Sequence, residues 1–172
     1  PKGRALDVAT GPGRNALYLA SQGYEVEGLD QDEQALAKLA ARAKERNFTN
    51  VTLHKVDLEA DPHRPPDLPK EHYDVILVFF YLHRPLFPGL LQALKPGGML
   101  LYETFLIDNH LRYRHPRRKE FCLAHNELLH LTKGLRVLHY NEAAREERDG
   151  DGPTFTARLL AKKEDPHGAQ FG

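Results

Sequence analysis

The residues with the clearest chemical potential lie in the run Leu6-Asp7-Val8-Ala9-Thr10-Gly11-Pro12-Gly13-Arg14-Asn15. An apolar stretch reaches an acid and then a turn of small residues that opens directly into a helical pattern. Gly11 and Gly13 tolerate positive φ and, lacking Cβ, let a ligand lie against bare backbone. The helix beyond them offers unpaired N–H groups to an anion. Asp7 beside the turn suits a cation. One ligand with an ammonium and a carboxylate, such as an amino-acid moiety, would satisfy both ends. A glycine turn alone also fits phosphate, a dinucleotide or simple tight packing, so the remaining acids must decide.

Two further acids follow at the ends of predicted strands: Asp30, with Gln31 beside it, and Asp57, followed by Leu58. An acid after a second strand is placed to accept hydrogen bonds from ribose hydroxyls. Asp57 is placed to accept from an adenine amino group, with Leu58 and the apolar end of the fourth strand at Phe79 sandwiching the ring. A lone acid at a strand end commonly caps the next helix. Three on one rim beside a glycine turn describe a nucleoside site better.

The elements that must carry these residues alternate. Strands are predicted at 4–9, 24–29, 51–56, 73–80 and 99–105, with helices at 15–22, 32–46 and 86–94 between them. The helix over 32–46 rests on Leu36, Leu39, Ala40 and Ala43 at i, i+3, i+4 and i+7. The strand over 73–80 is the most apolar and belongs at the centre. Lys95-Pro96-Gly97-Gly98 reads as a turn. Residues 106–123 are polar, basic and without clear periodicity, and 126–132 reads as a helix stopped at Gly134. Two last strands, 135–140 and 154–161, have no helix between them and should pair antiparallel across the charged loop 142–153. The fold class is α/β: doubly wound, a mostly parallel sheet with helices on both faces, closed by an antiparallel strand. Ligands of such sheets bind beyond the carboxyl ends of the strands. Residues 1–163 form the domain and 164–172 a frayed tail.

Composition excludes several other classes. In 172 residues, 24 basic side chains balance 24 acidic ones, so no global field draws the chain to nucleic acid or membrane. A single cysteine, Cys122, allows no internal disulfide and fits a reducing cytoplasm. No apolar run approaches a membrane span and no signal peptide precedes the first strand. The chain begins at Pro1 without an initiator Met, consistent with a longer parent. His125 and His130 are five apart, off one helical face, and make no metal site. A nicotinamide enzyme would carry G-x-G-x-x-G, an apolar residue at the Asp7 position and a hydride-transfer pair, none of which is found.

Taken together, these motifs resemble the S-adenosylmethionine-dependent methyltransferases with the seven-stranded Rossmann-like fold, over Arg4 to Lys163. Asp7–Gly13 looks like the family's first motif, with Ala9 where glycine is commoner. Asp30 matches the ribose acid and Asp57 the adenine-side acid. Lys95–Gly98 matches the turn before the fifth strand, and the closing hairpin the reversed seventh strand. Gly13-Arg14-Asn15-Ala16-Leu17-Tyr18-Leu19-Ala20, Tyr81–Pro88 and Leu101–Phe105 are similar to the bacterial tellurite-resistance-type branch. In that branch Arg14 would meet the methionyl carboxylate. The resemblance implies S-adenosylmethionine as cofactor and S-adenosylhomocysteine as product. Phe79 stands where amino-methylating relatives carry Asp or Asn before Pro-Pro-Tyr, which argues against adenine or cytosine N-methylation. The loop 142–153 does not match the branch residue by residue, so the acceptor is not carried over.

The expected function is methyl transfer to a small, soft or anionic acceptor. A thiolate or soft anion needs no general base, whereas a neutral hydroxyl or amine usually does, so the absence of an obvious base leaves the acceptor open. Candidates are His83 to take a proton, Arg84 to pair an anionic substrate and Tyr81 to line the pocket. Alternatively His83 caps the next helix, Arg84 braces a loop and Tyr81 merely packs. Tyr102 and Glu103 are weaker candidates. The one basic run, with Arg112, Arg114, Arg117, Arg118 and Lys119, occupies the place of a substrate lid. It offers an RNA contact, a lid that gathers an anion, or a solvated loop. The alternatives are therefore an RNA or protein methyltransferase and a non-catalytic cofactor-binding module. The sequence argues neither for nor against a dimer.

Overall fold

A computed structural model describes residues 2–145 and 152–166. Seven strands form one sheet: β1 (Arg4–Val8), β2 (Glu25–Asp30), β3 (Val51–Lys55), β4 (Tyr73–Phe79), β5 (Leu94–Phe105), β6 (Arg136–Arg145) and β7 (Thr154–Lys162). Their order is β3-β2-β1-β4-β5-β7-β6, with β7 antiparallel to both neighbours and the other pairs parallel. The expected sheet and reversed last strand are present, and β4 is central.

Period-two burial on the central strands makes two cores. On one face Ala5, Val75 and Leu77 pack with α1 (Arg14–Ser21) and α2 (Glu33–Glu45). On the other, Leu6, Val8, Ile76 and Val78 pack with Phe87 and Leu90 of α3 (Phe87–Ala93) and Leu128 of α5 (Glu127–Leu131). Strands buried on both faces must be apolar throughout, which is why β4 reads as a continuous apolar run.

Helix α2 begins where Asp32 caps it, its carboxylate accepting from the N–H groups of Gln34 and Ala35 at 2.9 and 3.2 Å. Leu36, Leu39 and Ala43 are its buried residues; Ala40, expected on that face, is exposed. Burying a leucine such as Leu39 is worth roughly 1.5–3 kcal/mol.

Three differences from the predicted elements affect the site. Lys95–Gly98 is not a separate turn but an interruption inside one long β5, where the register with β4 jumps between Tyr73 and Val75. β6 runs to Arg145, well past the expected end at Tyr140, because it pairs with the whole of β7. The unassigned stretch contains α4 (Ile107–Tyr113) and a 3-10 turn at Lys119–Phe121. Buried Asn109 organises it, donating to the His115 carbonyl at 2.7 Å and accepting from the Phe155 N–H at 3.0 Å. The middle of the expected 142–153 loop and the end of the expected tail, residues 146–151 and 167–172, lie outside the described residues.

Candidate functional site

The carboxyl ends of β1, β2, β4 and β5 open on three adjoining cavities. The largest, 610 Å³, is lined by Asp7, Thr10, Gly11, Arg14 and Asn15 on one side and by Phe79, Phe80, Glu103, Arg145 and Arg158 on the other. A second, 110 Å³, is bounded by Asp30, Gln31, Val56, Asp57, Leu58, Glu59 and Tyr81. Ala9 belongs to both walls. A third, 280 Å³, lies beyond Phe80 and Tyr81.

The turn after β1 is shaped by backbone. Ala9, Gly11 and Gly13 all have positive φ, at 54, 55 and 80°. Gly13 is fixed by packing, since a Cβ there would lie 2.1 Å from Leu39 Cδ1. Gly13 therefore faces α2 rather than a cavity. Gly11 is the opposite case: an added Cβ would meet nothing within 4 Å, so bare backbone fronts open space. That is the opening a bulky ligand needs. The α1 N-terminus carries no acidic residue in its first turn and no side-chain cap, leaving its N–H groups for an anion.

Asp7 is only 2% exposed and accepts from Thr10 Oγ1 at 2.7 Å. Burial pushes its carboxyl from 3.8 up to about 6, opposed by the Thr10 hydroxyl and the Ala16 N–H, with the Asp30 charge raising it slightly. A buried acid poised near neutrality becomes stable as an anion when a cation enters beside it. Asp30 ties the turn to α2, accepting from the Gly11 N–H at 2.7 Å and the Asp32 N–H at 2.9 Å. Each carboxylate oxygen keeps a second lone pair for a ligand hydroxyl. Asp57 accepts from the Glu59 N–H at 2.9 Å, and Leu58 is buried behind it. These features fit the methionyl and adenosyl parts of S-adenosylmethionine.

Phe79 is not where the sequence reading put it. It lines the large cavity rather than facing Leu58. Strand alternation sends its side chain to the α1–α2 face of the sheet, with Val75 and Leu77. Tyr81 takes the place opposite Leu58 instead. Its hydroxyl donates to Glu59 at 3.3 Å, and burial with the Glu59 charge raises its pKa; the phenol stays neutral.

The other two catalytic candidates stand outside the cavity walls. Arg84 donates to both oxygens of Glu127 and to the carbonyls of Glu120 and Cys122. It braces the segment before α5, as the structural alternative had it. His83 is buried, with Nδ1 3.5 Å from Glu59 Oε1 and with Nε2 lacking a hydrogen-bond partner among the described residues. In the basic run, Arg112, Arg114, Arg117, Arg118 and Lys119 are exposed and line none of the three cavities. Arg112 lies over the rings of Tyr113 and Phe155, and Arg118 over Phe121. The run reaches the site only through Pro116, beside it Phe121, in the third cavity.

Arg145 and Arg158 of the large cavity escaped the sequence reading, whereas Glu103 was among its weaker candidates. Glu103 Oε1, largely buried, accepts from Arg158 Nε and Thr156 Oγ1 at 2.9 Å and lies 3.5 Å from Arg145 Nη1. One carboxylate thus gathers two guanidiniums. Arg158 engages it through Nε, and both arginines line the cavity. A signal existed in the sequence: an arginine directly before the apolar Leu159-Leu160-Ala161 of a predicted strand. Among the described residues no cluster of three or more His, Cys, Asp or Glu is arranged to hold a metal, and no helix is long and apolar enough to cross a membrane.

A family model described as a methyltransferase domain matches residues 5–98, more than half the chain. The probable S-adenosyl-L-methionine-dependent methyltransferase TehB of Haemophilus influenzae is 30% identical, over 93% of this chain and 57% of its own length. The chain thus spans little more than half of that relative. The crystal structure of TehB from Haemophilus influenzae superposes with a TM-score of 0.76 at 26% identity, over 94% of this chain and 58% of that one. The [4+2]-cyclase SpnF, at 21% identity, shares the fold with a TM-score of 0.75, over 95% of this chain and 75% of that one.

Proposed function

Because this chain belongs to the S-adenosylmethionine-dependent methyltransferases, we propose that it methylates a small anionic acceptor, soft anions included, held beside Arg145 and Arg158. The observation that carries the acceptor class is the Arg145–Glu103–Arg158 cluster, which lines the same cavity as Asp7 and the glycine turn. Among the described residues three guanidiniums and two carboxylates line that cavity, so an entering anion finds a local excess of positive charge from them.

S-adenosylmethionine supplies an electrophilic methyl group. The chain's residues bind, orient and shield. Asp7 pairs an ammonium, while Arg14, Asn15 and the N-terminal N–H groups of α1 receive a carboxylate. Asp30, with Gln31 beside it, accepts from ribose hydroxyls. Asp57 accepts from the adenine amino group, with Leu58 and Tyr81 on either side of the ring. Phe79 and Phe80 form the wall toward the acceptor and exclude water. Arg145 and Arg158 orient the anion, which needs no base to become a nucleophile. Tyr81 is unsuited to be one, since its phenol is held protonated.

Transfer of a labelled methyl group from S-adenosylmethionine into a fractionated cell extract tests this reading. Counts in the acid-soluble fraction support it. Counts in the acid-insoluble fraction overturn the small acceptor and favour the exposed basic run as a polymer contact, with nuclease or protease sensitivity naming the polymer. Cofactor binding with no counts in either fraction would leave a binding module.

A further inference from the structure

We infer that the third cavity seats a planar ring, so that the methyl acceptor is an aromatic carboxylate; this deepens, and rests on, the methyltransferase reading above. The cavity measures 280 Å³ and its walls include Phe80, Tyr81, Leu82, Phe105, Pro116 and Phe121. An apolar cavity of about 150 Å³ accepts benzene, so a substituted ring fits. Phe80 is common to this cavity and the arginine-lined one, while Tyr81 and Glu59 are common to this one and the smallest one, bounded by Asp30 and Asp57. A molecule with its ring here and its acid toward Arg145 and Arg158 would therefore pass the edge of the cofactor seat.

Phe80 is the second observation. It is a bulky residue in the left-handed region, at φ 54°, with its N–H bonded to the Glu103 carbonyl at 2.8 Å. Such a conformation is strained for a large side chain and is characteristic of ligand clamps. Phe80 is 45% exposed, with its ring 5.0 Å from the Phe105 ring and tilted 48° to it. Phe121 is likewise 41% exposed. Two large aromatic side chains, one of them beneath Arg118, stay partly exposed around a hollow whose wall is mainly apolar and also carries Glu59 and Thr104. Aromatic pairs at offset or edge-on geometry are favoured beyond the area they bury; a ring between Phe80, Phe105 and Phe121 would gain that geometry. An inorganic oxyanion would use the arginines and leave this hollow wet.

Benzoate, acetate and benzyl alcohol separate the two halves of the idea. Their binding is followed by ligand-observed NMR, with and without S-adenosylhomocysteine, whose own binding is measured by calorimetry. Benzoate is expected to bind at least about tenfold more tightly than acetate, which lacks the ring, and than benzyl alcohol, which lacks the charge. Phe121→Ala, at an exposed position, and Phe80→Gly, which relieves the backbone, should each weaken benzoate about fivefold or more and leave acetate unchanged. Arg158→Gln should weaken benzoate and acetate alike. Equal affinity for benzoate and acetate, or benzoate binding untouched by both phenylalanine variants, would overturn the ring site. Failure of S-adenosylhomocysteine to bind would instead strike the methyltransferase reading, and the benzoate-to-acetate ratio in its absence would still judge the cavity.

Discussion

Replacing Asp7 by asparagine should make the ligand-free protein more stable and its cofactor site worse. Burial raises the Asp7 carboxyl from 3.8 to about 6. At ~1.36 kcal/mol per unit, a carboxylate so displaced lowers folding stability by roughly 3 kcal/mol once fully ionised. The sign follows from proton uptake. Between pH 4 and 6 the folded chain holds this proton more tightly than the unfolded chain, so rising pH removes stability across that window, and the loss is constant above it. Asparagine keeps the shape and one acceptor for the Thr10 hydroxyl, and cannot ionise. The stability difference between Asp7→Asn and parent should grow from about 1 kcal/mol at pH 4.5 to about 3 kcal/mol at pH 8.

Urea titrations of both proteins at several pH values measure that difference, and calorimetry with S-adenosylhomocysteine measures the other half. In the parent, affinity should climb as pH rises through 6, by up to about tenfold per unit, because the ligand ammonium pairs only with the ionised carboxylate. In Asp7→Asn that rise should vanish, and affinity at pH 8 should be lower than in the parent. An Asp7→Asn protein less stable than the parent at pH 8 would refute the dominance of burial over the Thr10 hydrogen bond. Parallel pH profiles of affinity would refute the pairing with the ammonium.

Asp30→Ala should lower S-adenosylhomocysteine affinity at least about tenfold, because it loses both a ligand acceptor and the anchors of the Gly11 and Asp32 N–H groups; unchanged calorimetry would remove Asp30 from the site. Gly13→Ala should destabilise the fold by about 2–5 kcal/mol, combining a left-handed backbone with overpacking against Leu39, 2.1 Å from the new Cβ, as read by denaturant midpoint. Arg84→Gln should lose about 1–2 kcal/mol of stability, discounted for the side chain's partial exposure, while S-adenosylhomocysteine affinity stays at the parent value; a large loss of that affinity would return Arg84 to the site. Glu103→Gln should lower stability by about 1–3 kcal/mol while strengthening acetate binding, since Arg145 and Arg158 lose their shared counter-charge; weaker acetate binding would count against an anion site there.

What the sequence made legible is what local chemistry determines. The apolar β1 followed by Gly11 and Gly13, the Asp32 cap of α2 and the twice-buried β4 each announce themselves within a few residues, because each obeys one rule of backbone or burial. The acids Asp7, Asp30 and Asp57 were equally plain, since strand ends in a parallel sheet share one rim. Phe79 was misplaced by a single question of face, which alternation along β4 settles once its partners on the α1–α2 side are known. Arg84 and Tyr81 were found as rim residues, but their partners Glu127 and Glu59 lie far away or on another loop. Which of two roles each performs is therefore not a local property.

The arginine cluster was hidden for a different reason. Glu103 and Arg158 are opposite one another in the β5–β7 ladder, and Thr156, two residues away, shares their face. A pairing register between strands so distant in sequence cannot be read from either strand alone. Arg145 was obscured further, because Asn141–Arg145 is polar enough to read as loop and becomes strand only by pairing with Thr154–Arg158. Whole-chain charge misleads here as well: 24 basic and 24 acidic residues cancel, yet among the described residues the large cavity is lined by three arginines against Asp7 and Glu103. Since Asp7 is half-protonated near pH 6, the cavity is most positive in mildly acidic solution, and an anion entering without a cofactor should bind more tightly there. S-adenosylhomocysteine should show the opposite trend, so the two ligands measured across the same pH range separate the arginine end of the cavity from the Asp7 end.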